Sequence, residues 1–207
     1  RGNDLATELS AAAQRKGDRA PIARDEVLFP RAQRFGLSAG TIVLIGSSFR
    51  RRAVNLVMTA ICNRLGVRLW FEPDKDRDDR HKFFFGYPTR FNDLYINGRP
   101  YRSNRYVDER DAIHYEDYGV ILHGPLAQIV AQGEEKPFGE EAKTAQRVVL
   151  VAGAHRLATG VGMRMLEDAE LRTLVADTDL KGFGALAFRV VVRKGDFSTV
   201  SDLERIP

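Results

Sequence analysis

Two ionisable side chains in this sequence stand where they could handle a proton. His155 comes just after Gly153, the glycine that closes the apolar run Val148–Ala152, and an imidazole titrates near neutral pH, as general acid/base chemistry requires. Asp117 precedes a second apolar run, Tyr118–Leu122. A carboxylate there can assist such an imidazole, anchor a loop or accept a ribose hydroxyl; Glu167 is the alternative assistant. His114 and His123 lie on either side of the Tyr118 run and can also point to the same rim. A third group suits phosphate. Gly46-Ser47-Ser48-Phe-Arg50-Arg51-Arg52 follows the apolar run Thr41–Ile45, so two hydroxyls and free N–H groups meet positive charge at a helix start. Asn55, one turn on, can hydrogen-bond a ligand. Each residue also has a plainer role: the serines as caps, the arginines as a solvated face, the histidine and aspartate as structural groups.

Several chemistries are excluded by pattern. The chain has no Gly-x-Gly-x-x-Gly fingerprint, P-loop, Gly-x-Ser-x-Gly elbow or His-Glu-x-x-His. This argues against a standard NAD enzyme, a P-loop NTPase, an α/β-hydrolase and a zinc protease. Cys62 is the single cysteine, so neither an internal disulfide nor a multi-cysteine zinc site can form; the sequence leaves any cofactor unknown. The charge balance is +4, from 32 basic and 28 acidic residues dispersed along the chain. That mildly favours anionic ligands and carries no strong nucleic-acid signal. No apolar run reaches the ~20 residues of a membrane span, and a cytoplasmic protein is expected, with an anchor ahead of Arg1 left open.

The elements that must position these residues follow from hydrophobic pattern. Asn3–Arg15 reads as a short helix and residues 18–40 as an arm docking through Val27, Leu28, Phe29 and Phe35. Thr41–Ile45 and Val148–Ala152 are apolar on both faces and predict central parallel strands, each feeding a helix through glycine. Val54, Val57, Met58, Ile61, Cys62 and Leu65 form one helical stripe that stops at Gly66. With Val67–Phe71 as the next strand, this predicts a βαβ unit. Asp74–Lys82 reads as a charged loop, residues 83–115 as a β-rich insertion with an Asn97-Gly98 hairpin, and Gln132–Gln146 as a surface loop. A helix over Met163–Ala176, starting near Thr159, leads to a last strand at Ala185–Val192 and a polar tail from Asp196. The expected fold is therefore a three-layer Rossmann-like α/β domain over 41–207 with a mostly parallel sheet, after an N-terminal segment 1–40. In such a sheet the two glycine turns share one crevice, lined by Gly46, Ser47, Ser48, Gly153, His155, Thr159 and Gly160.

At Asp117-Tyr-Gly-Val-Ile-Leu-His-Gly-Pro125 and Val149-Leu-Val-Ala-Gly-Ala-His-Arg-Leu-Ala-Thr-Gly160 the chain resembles a widespread prokaryotic Rossmann-like domain family, itself largely uncharacterised. Its members show Gly-Gly-Pro-x-x-Asn, then Asp-Tyr-Gly, then Ala-Gly-x-His-Gly-x-Gly-Thr. Here Gly46-Ser-Ser stands for Gly-Gly-Pro, and Arg156-Leu-Ala-Thr159-Gly160 replaces the last glycines. The resemblance implies a fold and a rim site, and no reaction. The leading functional expectation is a sensor or regulatory module binding a nucleotide or other phosphorylated small molecule, alongside an upstream domain or as a homo-oligomer. The alternatives are an enzyme cleaving a nucleotide or nucleoside bond through His155, and a protein-interaction domain with a degenerate pocket.

Overall fold

The structure is a computed structural model that describes residues 27–29, 40–46, 52–73, 92–130, 145–167, 182–194 and 196–206. The expected helix at Asn3–Arg15, most of the arm, the 74–82 loop, Phe83–Phe85, residues 132–144 and 168–176 lie outside them. Among the described residues no helix is long and apolar enough to cross a membrane.

The chain runs β1 (Val27–Phe29), β2 (Thr41–Ile45), α1 (Arg52–Leu65), β3 (Leu69–Pro73), β4 (Asn92–Ile96), β5 (Arg99–Arg102), β6 (Asn104–Val107), β7 (Ile113–Pro125), α2 (Leu126–Val130), β8 (Arg147–Gly153), α3 (Arg156–Glu167), β9 (Gly184–Arg193) and β10 (Asp196–Ile206). The large sheet has the order β1-β2-β8-β7-β9-β10, with β6 also on β7. β2 and β8 are inner neighbours, as their two-faced apolar character predicts, and they run parallel, Thr41 opposite Arg147 and Ile45 opposite Val151.

The rest of the sheet corrects the Rossmann-like expectation. β1–β2, β7–β8, β7–β9, β6–β7 and β9–β10 are all antiparallel, and strand makes up more than half of the described residues. The βαβ unit does not form either. β3 leaves the large sheet and joins β4 and β5 in a separate antiparallel sheet. Its own pattern explains this, because Leu69 and Phe71 are buried whereas Arg68 is exposed and Trp70 half-buried. A strand apolar on one face cannot occupy the middle of a sheet covered on both. The residues expected to form one insertion are thus divided: β4 and β5 complete the small sheet, and β6 pairs with the large one. Asn97 and Gly98 do turn the β4–β5 hairpin, at φ of 52° and 84°.

Both faces of the large sheet are packed. Ile42, Leu44, Val120, Leu122, Val148 and Leu150 meet the α1 stripe and the small sheet on one side. Val43, Ile45, Ile121, Val149, Val151 and Phe188 meet α3 on the other. Gly66, at φ 67°, closes α1 as expected, with Val67 N–H donating to Cys62 O at 3.0 Å. Cys62 is buried in the α1 stripe, and burial pushes its thiol up to about 11. A thiol reagent should therefore label Cys62 in the native protein far more slowly than in the unfolded chain; rapid native labelling would contradict this packing.

Candidate functional site

The site lies in a notch on one edge of β7. That edge pairs with β8 from Pro125 up to Gly119 and with β6 from Glu116 down to Ile113. Asp117 and Tyr118 fall between the two partners, where β8 has ended and β6 has yet to begin. Gly46 leaves β2 at the same rim, its N–H donating to Val151 O at 3.1 Å, and Ala154 N–H donates to Tyr118 O at 2.8 Å. The two glycine turns are thus side by side, as their strands' shared direction requires.

Asp117 is fully buried at this notch and collects hydrogen bonds from three sides. Oδ1 accepts from Ser103 Oγ at 3.1 Å, from its neighbour Tyr118 N–H at 2.9 Å and from His155 Nδ1 at 3.1 Å. Oδ2 accepts the Ala158 N–H at 2.8 Å. The last bond places a carboxylate on an otherwise orphan donor of the first turn of α3, where the helix dipole also favours negative charge. His155 connects outwards as well: its Nε2 accepts the Asn92 N–H at 3.3 Å, and the Asn92 side chain donates to Ala154 O at 3.0 Å. Together, the contacts of Asp117 and His155 join β7, the β5–β6 link, the start of α3 and the start of β4.

The Asp117-Tyr118-Gly119 and Gly153-Ala-His155 stretches meet here, and Asp117, Tyr118, Gly119 and Gly153 each have a packing reason. Asp117 caps α3. Tyr118 donates to Glu116 Oε1 at 2.6 Å and sets its ring 5.7 Å from that of Tyr101. Burial, then the bond to Glu116, pushes the Tyr118 phenol up. A side chain on Gly119 would overlap the Phe188 ring, and one on Gly153 would come within 2.6 Å of Thr159 N. Gly153 is therefore a close-packing glycine under the first turn of α3.

The remaining candidates separate. α3 begins at Arg156, earlier than the expected start near Thr159, so Thr159 and Gly160 are helical residues and not part of a loop. Thr159 Oγ1 donates to His155 O at 3.2 Å, and a side chain on Gly160 would meet open space. Glu167 is the last residue of α3, roughly 16 Å from its start at 1.5 Å per residue, and cannot assist His155. His123 lies at the opposite end of β7 from the notch, its Nδ1 3.2 Å from Gly182 O and 3.3 Å from an Arg147 nitrogen. His114 pairs instead with Asp108 at 2.8 Å and stacks on Tyr106. That bond, with the N–H groups of Ala112 and Arg110, holds the Asp108 carboxyl down to about 2. Asn55 is exposed on α1. Ser47, Ser48 and Arg51 lie outside the described residues, as does the side chain of Arg52.

Ser103 and Asn92 belong to the cluster although no sequence pattern marks them. Beside it, the Arg189 guanidinium donates to Glu116 at 2.6 Å and to Asp202 at 2.6 Å. Burial pulls this guanidinium down, but Glu116 and then Asp202 outweigh that and hold it above its ordinary value. Among the described residues no group of three or more His, Cys, Asp or Glu could hold a metal ion. No family model matches the chain, and neither does a curated protein or a solved structure.

Proposed function

We propose that the chain is a non-catalytic binding module for a nucleotide or another phosphorylated small molecule, with the anion received at the Gly46 turn and the start of α1. One observation carries this reading: the helices that follow the two glycine-ended strands differ in charge at their starts. The start of α3 holds the buried carboxylate of Asp117 on its Ala158 N–H, in the place an anion would take. The first turn of α1 contains no acidic residue and begins at Arg52, after Arg50 and Arg51 in the sequence. A sensor or regulatory role in a larger assembly fits a site that binds without turnover.

The enzyme reading draws support from the His155–Asp117 bond, since a carboxylate on Nδ1 is the orientation a general base needs. Against it, Nε2, the nitrogen that would face substrate, already accepts the Asn92 N–H. Thermal melting against a panel of nucleotides, dinucleotides and pyrophosphate, with product analysis of each hit, separates the two. Binding to the native state at a hundred-fold excess over Kd adds about 2.7 kcal/mol, roughly 5–10 °C in Tm for a chain of this size. The expected result is such a rise with the ligand recovered intact. Arg52→Ala should weaken the response about tenfold in Kd, while stability without ligand stays within about 0.5 kcal/mol. Turnover that His155→Ala lowers about a hundred-fold would establish the enzyme instead. No rise with any of these compounds would count against an anion site.

A further inference from the structure

His155 is engaged through both ring nitrogens, and the two bonds require a single tautomer. Because Nε2 accepts the Asn92 N–H at 3.3 Å, the proton resides on Nδ1, which donates to Asp117 Oδ1 at 3.1 Å. Asn92 is the first residue of β4, so this bond ties the small sheet to the rim of the large one. An imidazolium has N–H on both nitrogens and cannot accept. We infer that His155 is a proton-operated latch between the two sheets: protonation at Nε2 sets N–H against N–H and breaks the backbone bond of Asn92, so that its side-chain amide on Ala154 O is left to hold the start of β4 to the rim. The ring itself stays in place, because the imidazolium gains an ion pair with Asp117.

The surroundings decide which side moves. Among the described partners of the imidazole, β7 contributes the charged Asp117 and β4 the backbone N–H of Asn92; the Asn92 amide goes to Ala154 O, and Arg156, the neighbour in α3, is exposed. Ser103 Oγ and the Ala158 N–H both donate to Asp117. Asp117 therefore holds the charged ring firmly, whereas the bond to Asn92 is the one lost. Leu94 and Phe71 remain anchored in the apolar cluster with α1, and Tyr101 stays against Tyr118, so opening is confined to the start of β4. The latch involves no ligand and stands independently of the binding reading.

Hydrogen exchange with the isotope-labelled full chain between pH 8 and 5 tests it, with the imidazole resonances of His155 followed in the same samples. Wherever the His155 resonances report protonation at Nε2, protection of the Asn92 amide, corrected for intrinsic exchange, should be about tenfold lower while β8 amides keep theirs. His155→Gln, which carries an amide oxygen and does not titrate, should show no such step. The proposal is overturned if Asn92 shows no step where His155 titrates, if His155→Gln shows the same step, or if β8 loses protection in parallel. Should the variant not fold, the imidazole nitrogen shifts of the natural chain decide alone. Above the titration Nε2 must be the unprotonated nitrogen; the reverse tautomer overturns the latch.

Discussion

Asp117→Ala should lower the stability of the protein by about 3–5 kcal/mol, or roughly 10 °C or more in Tm, read by thermal or urea unfolding. The residue is fully buried, and its carboxylate is the acceptor for Ser103 Oγ, Tyr118 N–H, His155 Nδ1 and Ala158 N–H. Removing it leaves those donors facing a space that water does not reach, and each buried donor without an acceptor costs about 1–3 kcal/mol. Asp117→Asn should cost about half as much, because an amide oxygen can still accept on one side while its NH2 opposes a donor on the other. A variant Asp117→Ala within 1 kcal/mol of the natural protein would show that the cluster does not hold the rim together.

The second large effect is expected at Phe188. Its ring is 1 % exposed and fills the space left by two glycines, one in β7 and one in α3. A side chain on Gly119 would come within 2.5 Å of the Phe188 ring, and one on Gly162 within 3.1 Å. This is how α3 comes to lie so close to the sheet at Gly162 and Val151. Phe188→Ala should cost about 3–5 kcal/mol through the cavity it leaves. Gly119→Ala should cost about 1–3 kcal/mol through overpacking. If the two changes are combined, the added methyl enters the vacated space, so the double variant should be less destabilised than the sum of the singles. Strict additivity in the same unfolding measurement would mean that Gly119 and Phe188 do not share one space.

What the sequence disclosed follows from what hydrophobic pattern encodes. Thr41–Ile45 and Val148–Ala152 could be placed inside a sheet because burial on both faces leaves no polar position, and the α1 stripe was complete down to its closing Gly66. Strand direction is a different matter. Tyr118–Leu122 is equally apolar whether its neighbours run parallel or antiparallel, so the orientation of β7 against β8 and β9 is not written in its composition. β10 reads as a polar tail because Asp202 and Glu204 are exposed; Arg189, reaching across from β9, gives both an ion pair. In the sequence Gly160 and Gly162 look like a loop, which shifts the expected start of α3 towards its C-terminus. Gly162 is there because the helix rests on Val151 and Phe188.

The site was half legible for the same reason. Asp117 and His155 stand out as ionisable residues next to apolar runs, and they do meet. Ser103 and Asn92 do not stand out, because Ser103 sits in a polar link and Asn92 reaches the imidazole through its backbone N–H. Gly153 stands in the sequence where a glycine can approach a ligand, yet its want of a side chain is accounted for by Thr159 above it. On the proposed reading, the acid/base residues of the notch close it and the ligand goes to the neighbouring turn at Gly46.

The most direct measurement of that conclusion is an amide titration of the isotope-labelled chain with a nucleoside triphosphate, monitored for product in the same tube. The account predicts saturable shifts at Gly46 and at the first residues of α1, small changes at Asn92, His155 and Ala158, and unaltered nucleotide at the end. Shifts centred on His155 and Asn92 with nucleotide consumed, or no shift at Gly46 at millimolar ligand, would contradict it.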